Sequence, residues 1–372
     1  MQETSRDQSG APANADRIAW LDYAKAIGII LVVVGHVAGG LRPERVGAGL
    51  AAYQTLSDFI YTFHMPLFFF ISGYLSGLFQ DRSASAFARA TFIGIVVPYL
   101  LWSAIYVAVQ NAFPGATNHL ASFSDLLTII WVPVAHLWFL HTLFFVRVGY
   151  FGVSRLAGRT AIGGLGGAAL LGYVFALQWE LPLARPLMGA TLFAAGMLAA
   201  ASRGAWPIPI RALPASAVAA ALWFAAATAG QAPLSRWVLV VAAFAGVAMT
   251  VAASIALPKP RRLGWRVVAL VGQASIAIYV AHMIFAAGTR YMLYGIGISD
   301  VHLHILLGTL TGVAAPTVMY LIANELRWAP FLGFGQNNRG LAMNARLDRL
   351  WGRFAQATPD RRNPASPLRL DA

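Results

Sequence analysis

A chain of 372 residues that is 58% hydrophobic and 11% charged, with a mean hydropathy of +0.64, is too apolar for a soluble domain. Its net charge of +13 would suit nucleic acid, but the basic residues fall between apolar runs and in the C-terminal tail, where loops facing anionic lipid account for them. The absence of cysteine excludes disulfides, thiolate metal sites and a cysteinyl acyl intermediate.

Residues 1–16 are polar and rich in Ser, Ala, Gln and Asp, and read as a disordered cytoplasmic leader; no short apolar segment marks a cleaved signal peptide. Ten apolar runs of membrane-crossing length follow, at 18–41, 53–79, 87–112, 137–153, 161–178, 183–201, 212–229, 237–257, 267–291 and 303–326. They are continuous and do not alternate, which argues for helices and against a β-barrel. The expected fold is all-α: a polytopic integral membrane protein whose bundle of about ten transmembrane helices forms one domain over 17–327. Residues 328–372 read as a cytoplasmic basic tail, in which Leu347, Leu350, Trp351 and Phe354 oppose Arg346, Arg349 and Arg353 as in an interfacial helix. No internal repeat suggests a transporter's inverted halves.

Basic residues orient the bundle. One set of connections carries Arg82, Arg89, Arg147, Arg155, Arg159, Arg203, Arg211, Lys259, Arg261, Arg262 and Arg266; the alternate set has Arg42, Arg45, Arg185, Arg236 and Arg290. The positive-inside rule places the first set and both termini in the cytoplasm of a cell with this protein in its inner membrane. The longest outer connection, 111–135, has no Lys or Arg and offers Asn118, His119, Ser122, Ser124, Asp125 and Trp131 to a hydroxyl-rich substrate; its second half reads equally well as a short interfacial helix.

Polar residues within the spans mark candidate sites, because an ionisable group in a membrane is costly. In the first span Lys25 and His36 are 11 residues apart, which returns them to within about 20° of each other and roughly 16 Å apart on one helix face. Asp22 sits one turn from Lys25 on that face. In the second span Pro66 is expected to bend the helix, with His64 before the bend either facing a cavity or bonding the freed backbone. The fourth span opens HLWFLH; Trp138 suits an aromatic belt, while His136 and His141, about 140° apart on a helix, cannot share a metal. His302 and His304 are also poorly spaced, and no metal is expected. In the ninth span Ser275, Tyr279 and His282 share a face, as interhelical glue or as site lining.

Four motifs in order, DYAK leading to Gly35-His36, then FHMPLFFFISGYL, HLWFL and GQASIAIYVAH, resemble the acyltransferase 3 family of membrane O-acyltransferases, and within it the fucose 4-O-acetylase-like group. The resemblance runs from about Arg17 to Tyr320. It implies a bundle of about ten helices traversed by a cavity. It also implies transfer of an acyl group, commonly acetyl, from cytoplasmic acyl-CoA (acetyl-CoA) to a hydroxyl of an extracytoplasmic glycan or lipid-linked sugar. The family's basic residue and histidine map onto Lys25 and His36, although many members have Arg at the first place, and an ammonium lacks the guanidinium fork.

On this reading His36 is the general base, with Asp22 orienting Lys25. His64, Ser72 or Tyr279 is an oxyanion donor, and Ser72, Trp138, His136, Ser275, Tyr279 and His282 line the substrate site. Lys25, Arg82 and Arg89 meet the donor's phosphates. A transporter of a small polar substrate is the alternative from another class, since His and Lys in a span can relay protons.

Overall fold

The computed structural model describes residues 19–46, 49–114, 121–202, 212–229, 237–258 and 262–335. The leader, Asn118 and His119, several loop cations and the expected interfacial helix of the tail lie outside these residues. Within them the chain is all helix and turn. The long elements are α1 (Ala19–Gly40), α2 (Leu50–Tyr61), α3 (His64–Leu78), α4 (Ala84–Ala112), α5 (Trp138–Leu156) and α6 (Thr160–Gln178). They continue as α7 (Ala184–Ala201), α8 (Ala212–Ala229), α9 (Val238–Ala256), α10 (Leu263–Gln273), α11 (Ser275–Gly295) and α12 (Val301–Glu325). Nine apolar segments among the described residues are long enough to cross a membrane, with the stretch Ser216–Ala225 of α8 a shorter apolar tenth. The chain is a multi-pass membrane protein. The helices form because backbone N–H and C=O groups in lipid can be satisfied only within the segment.

α1 is the centre of the bundle, packed against α2, α3, α9, α10, α11 and α12. Its 22 residues span about 33 Å, the thickness of a hydrocarbon core of about 30 Å. Small residues let its neighbours close in. A Cβ on Gly272 of α10 would lie 1.8 Å from the Asp22 carbonyl oxygen, and those on Gly308 and Gly312 of α12 would meet Val37 and Val33 at 2.9 and 2.8 Å. The α3–α7 crossing is equally tight, with Gly73 against the Phe193 carbonyl and Gly196 against that of Phe70.

Two expected spans are broken. The run over 53–79 is two helices separated at Thr62 and Phe63, and the break precedes His64 rather than following Pro66. Pro66 falls in the first turn of α3, where its missing N–H has no partner to lose. The run over 267–291 likewise divides at Ala274, between α10 and α11. In α4, Pro98 removes the N–H that would pair with Gly94, and the chain widens into a π turn over Phe92–Val96.

The two ends of the bundle are chemically distinct. At one end Arg155 donates to the Arg82 carbonyl and Arg159 pairs with Asp81, tying the α3–α4 and α5–α6 connections together. At the other, Tyr53 bonds His302 at 2.7 Å and Arg45 lies over the Tyr294 ring. After α12 the chain folds back against α4: Trp102 Nε1 donates to the Leu332 carbonyl at 3.1 Å, and buried Phe334 stacks on Trp102.

Candidate functional site

Three imidazoles from three elements meet where α1, α11 and the start of α5 converge. The ring centroids of His36 and His136 are 5.8 Å apart, those of His36 and His282 are 5.2 Å, and those of His136 and His282 are 5.0 Å. His136 reaches this point because it lies on a 3-10 turn, Ala135–Leu137, before α5 begins. The angular separation expected from a continuous helix therefore does not apply to it. Ala135, at φ 48°, turns the chain inward. His141 points elsewhere, donating from Nε2 to the Ile130 carbonyl at 2.8 Å. Among the described residues no group of three or more His, Asp or Glu is arranged to hold a metal ion.

Backbone carbonyls fix the tautomers of two rings. His282 Nδ1 lies 2.9 and 2.8 Å from the Ile278 and Tyr279 carbonyls, so it carries the proton and Nε2 carries a lone pair. His136 Nε2 donates to the Tyr279 carbonyl at 2.9 Å, which leaves the lone pair on Nδ1. Both lone-pair nitrogens are buried without a hydrogen-bond partner. Tyr279 closes the pairing by donating its hydroxyl to the His136 carbonyl. The α11 stripe is thus split: Tyr279 and His282 join the cluster, while Ser275 lies in the first turn of α11, about 10 Å along the helix.

His36, half-buried, is the member of the trio that faces open space. The Tyr61 hydroxyl lies 3.4 Å from its Nδ1, and both residues line a cavity of about 950 Å³. Tyr106, Asp125, Gln110 and Arg290 line the same cavity, amid apolar groups such as Met283 and Val132. Arg290 also donates to the Gly40 carbonyl at 2.5 Å and so caps the end of α1. His64 is fully buried behind Tyr61, with ring centroids 4.7 Å apart, and its Nδ1 donates to the Ile60 carbonyl at 2.8 Å across the α2–α3 break. Of its two expected environments, the backbone bond is the one observed.

The remaining candidates lie farther off. Lys25 Nζ is 3.8 Å from buried Asp22, whose Oδ2 accepts from Gln273 at 3.4 Å beside the α10–α11 break. Trp138 packs on Phe69 and under Arg185, two residues beyond His136. Ser72 lies on α3 two helical turns past His64. Arg82 lines a second, smaller cavity between α3, α4 and α5, which does not include Arg89. Tyr61, Tyr106 and Arg290 escaped the sequence reading. Tyrosine in a span reads as apolar filling, and Arg290 was counted among loop charges, although an arginine inside a predicted span was a signal in itself.

Residues 18–321 match the family model described as an acyltransferase domain. Nodulation protein NolL of Sinorhizobium fredii is 34% identical over 140 residues, covering 34% of this chain and 35% of that protein. NolL of Mesorhizobium japonicum is 31% identical over 147 residues, covering 38% and 37%. The matched stretch thus spans about a third of the length of these curated relatives. No solved structure matches.

Proposed function

The chain belongs to the acyltransferase family whose match runs through nearly its whole membrane bundle, and from that premise we propose that it is an acyl-CoA-dependent O-acyltransferase acting on a sugar hydroxyl. The observation that carries the reading is the trio of imidazoles at the wall of a large cavity, with His36 exposed to it and two neutral partners behind. The resemblance to the fucose 4-O-acetylase-like group supports acetyl as the acyl group and an extracytoplasmic glycan or lipid-linked sugar as acceptor.

The acceptor hydroxyl attacks the thioester carbonyl as His36 takes its proton; the new C–O bond forms, the C–S bond breaks, and the proton passes to the departing thiolate. His36 becomes an imidazolium during this step. The lone pairs of His136 Nδ1 and His282 Nε2, on rings 5.8 and 5.2 Å away, stabilise that cation without competing for the proton beforehand. The Tyr61 hydroxyl orients the His36 ring. Lys25, with Arg82 and Arg89, supplies positive charge to the donor's phosphates at the cytoplasmic end, and Asp22 holds Lys25 in place.

The test is acetyl transfer from radiolabelled acetyl-CoA to surface glycan by membranes carrying the protein. His36→Ala is expected to abolish incorporation while the protein still inserts and folds. Retained labelling in that variant overturns the mechanism. Labelled acceptor also separates this reading from transport, in which unmodified substrate crosses the vesicle.

A further inference from the structure

The smaller cavity, of about 220 Å³, holds an unusual concentration of polar atoms with nothing to bond. Arg147 Nε, Gln80 Nε2, Ser76 Oγ and Tyr150 Oη are all buried and lack a hydrogen-bond partner, and the four residues that carry them all line this one space. Buried donors are paired in nearly every folded protein, so four orphans on residues that line one space point to a ligand there. The sign of that ligand follows from the walls. Arg147 and Arg82 both line the cavity, and among the described residues no acidic side chain does. Arg147 projects from the middle of a membrane-spanning helix, where an uncompensated cation is costly. A ring platform frames the cations: Phe87 stacks on Phe151 at 3.7 Å, Arg147 lies over Phe87, and Arg82 lies over Phe79.

We propose that this cavity binds phosphate groups of the acyl-CoA donor, with Arg147 as its principal anion ligand. The inference rests on the acyl-CoA reading above and adds to it residues that the reading does not use. Position supports it. Along α3 the cavity residue Ser76 lies 12 residues from His64, about 18 Å; along the chain Arg147 lies 11 residues from His136, about 16 Å. That separation suits a nucleotide held at one end and a thioester delivered to the imidazoles by the extended pantetheine arm. Gln80 and Ser76 complete the phosphate contacts, and the Phe87–Phe151 stack offers an aromatic face to the adenine.

An anionic lipid headgroup carries the same phosphate chemistry, so the experiment separates the two. CoA binding is measured by calorimetry on the full chain in phosphatidylcholine nanodiscs, and again in discs containing phosphatidylglycerol. Arg147→Gln is expected to weaken CoA binding at least about tenfold in both, the loss of one charge-assisted contact. Arg147→Lys should restore part of it, and Gln80→Leu should weaken it severalfold, which guards against misfolding of a single variant. His36→Ala should bind CoA as the wild type does. Undiminished binding by Arg147→Gln and Gln80→Leu overturns this site alone. A loss seen only in phosphatidylglycerol discs assigns the cavity to lipid and also overturns it. Failure of the wild type to bind CoA removes the acyl-CoA reading together with it.

Discussion

His282 shows how a backbone can set the chemistry of a side chain. Two carbonyls of its own helix hold the proton on Nδ1, and burial keeps Nε2 away from water, so the ring can only accept. A residue fixed in this way is useful beside a base that must become charged. His282→Ala is expected to lower kcat by about 10²-fold, with the acceptor KM changed only a few-fold, in initial-rate assays on purified protein. An unchanged kcat would remove His282 from the proton path. Lys25 lies at the opposite end of α1 and should behave differently. Lys25→Ala is expected to raise the donor KM severalfold while Lys25→Arg retains activity; a donor KM untouched by the alanine change ends that role.

The helices were legible where composition alone decides. The run expected at 212–229 is the helix Ala212–Ala229, and that at 161–178 differs by one residue from Thr160–Gln178. The breaks at Thr62–Phe63 and at Ala274 were not, because hydropathy is continuous across both. Next to the second break α10 is pressed so close to α1 that only glycine fits at 272. The site was partly readable for a related reason. His36, His64, Tyr279 and His282 stand out as polar groups in apolar helices. His136 acquires its partners only through the 3-10 turn and the inward-turned Ala135, which leave no periodic trace. Arg147 was read as a loop charge fixing orientation, whereas it sits inside α5. Close helix crossings also make a stability prediction. Gly196→Val would drive a Cβ to 2.1 Å from the Phe70 carbonyl oxygen and should cost roughly 1–3 kcal/mol, read as a lower Tm in detergent. Gly163→Ala on α6, where nothing lies within 4 Å, should leave Tm unchanged or raised.

The two larger cavities described above lie apart in the bundle, one beside His36 and the other beside Arg82 and Arg147. From loop charge we propose that the end carrying Arg82, Arg155 and Arg159 faces the cytoplasm. The cysteine-free chain allows a direct test. Ser122→Cys, beside the large cavity, should react with an impermeant maleimide on intact cells, and Ser83→Cys, which caps α4 at the other end, only after permeabilisation. The reverse pattern would invert the donor and acceptor sides.

The glycine-mediated contacts that hold α1 against α10 and α12 make the histidine-bearing helix a stator. Alternating-access machines rock one half of the protein against the other, and a helix gripped on several sides has little room for that. In the reaction proposed above the two substrates would instead approach a fixed imidazole from opposite faces and withdraw the way they came. In that proposed reaction only the acyl group would then cross the bilayer; the spent thiol would stay on the side that can recharge it, and the cell would decorate its exterior without exporting the carrier.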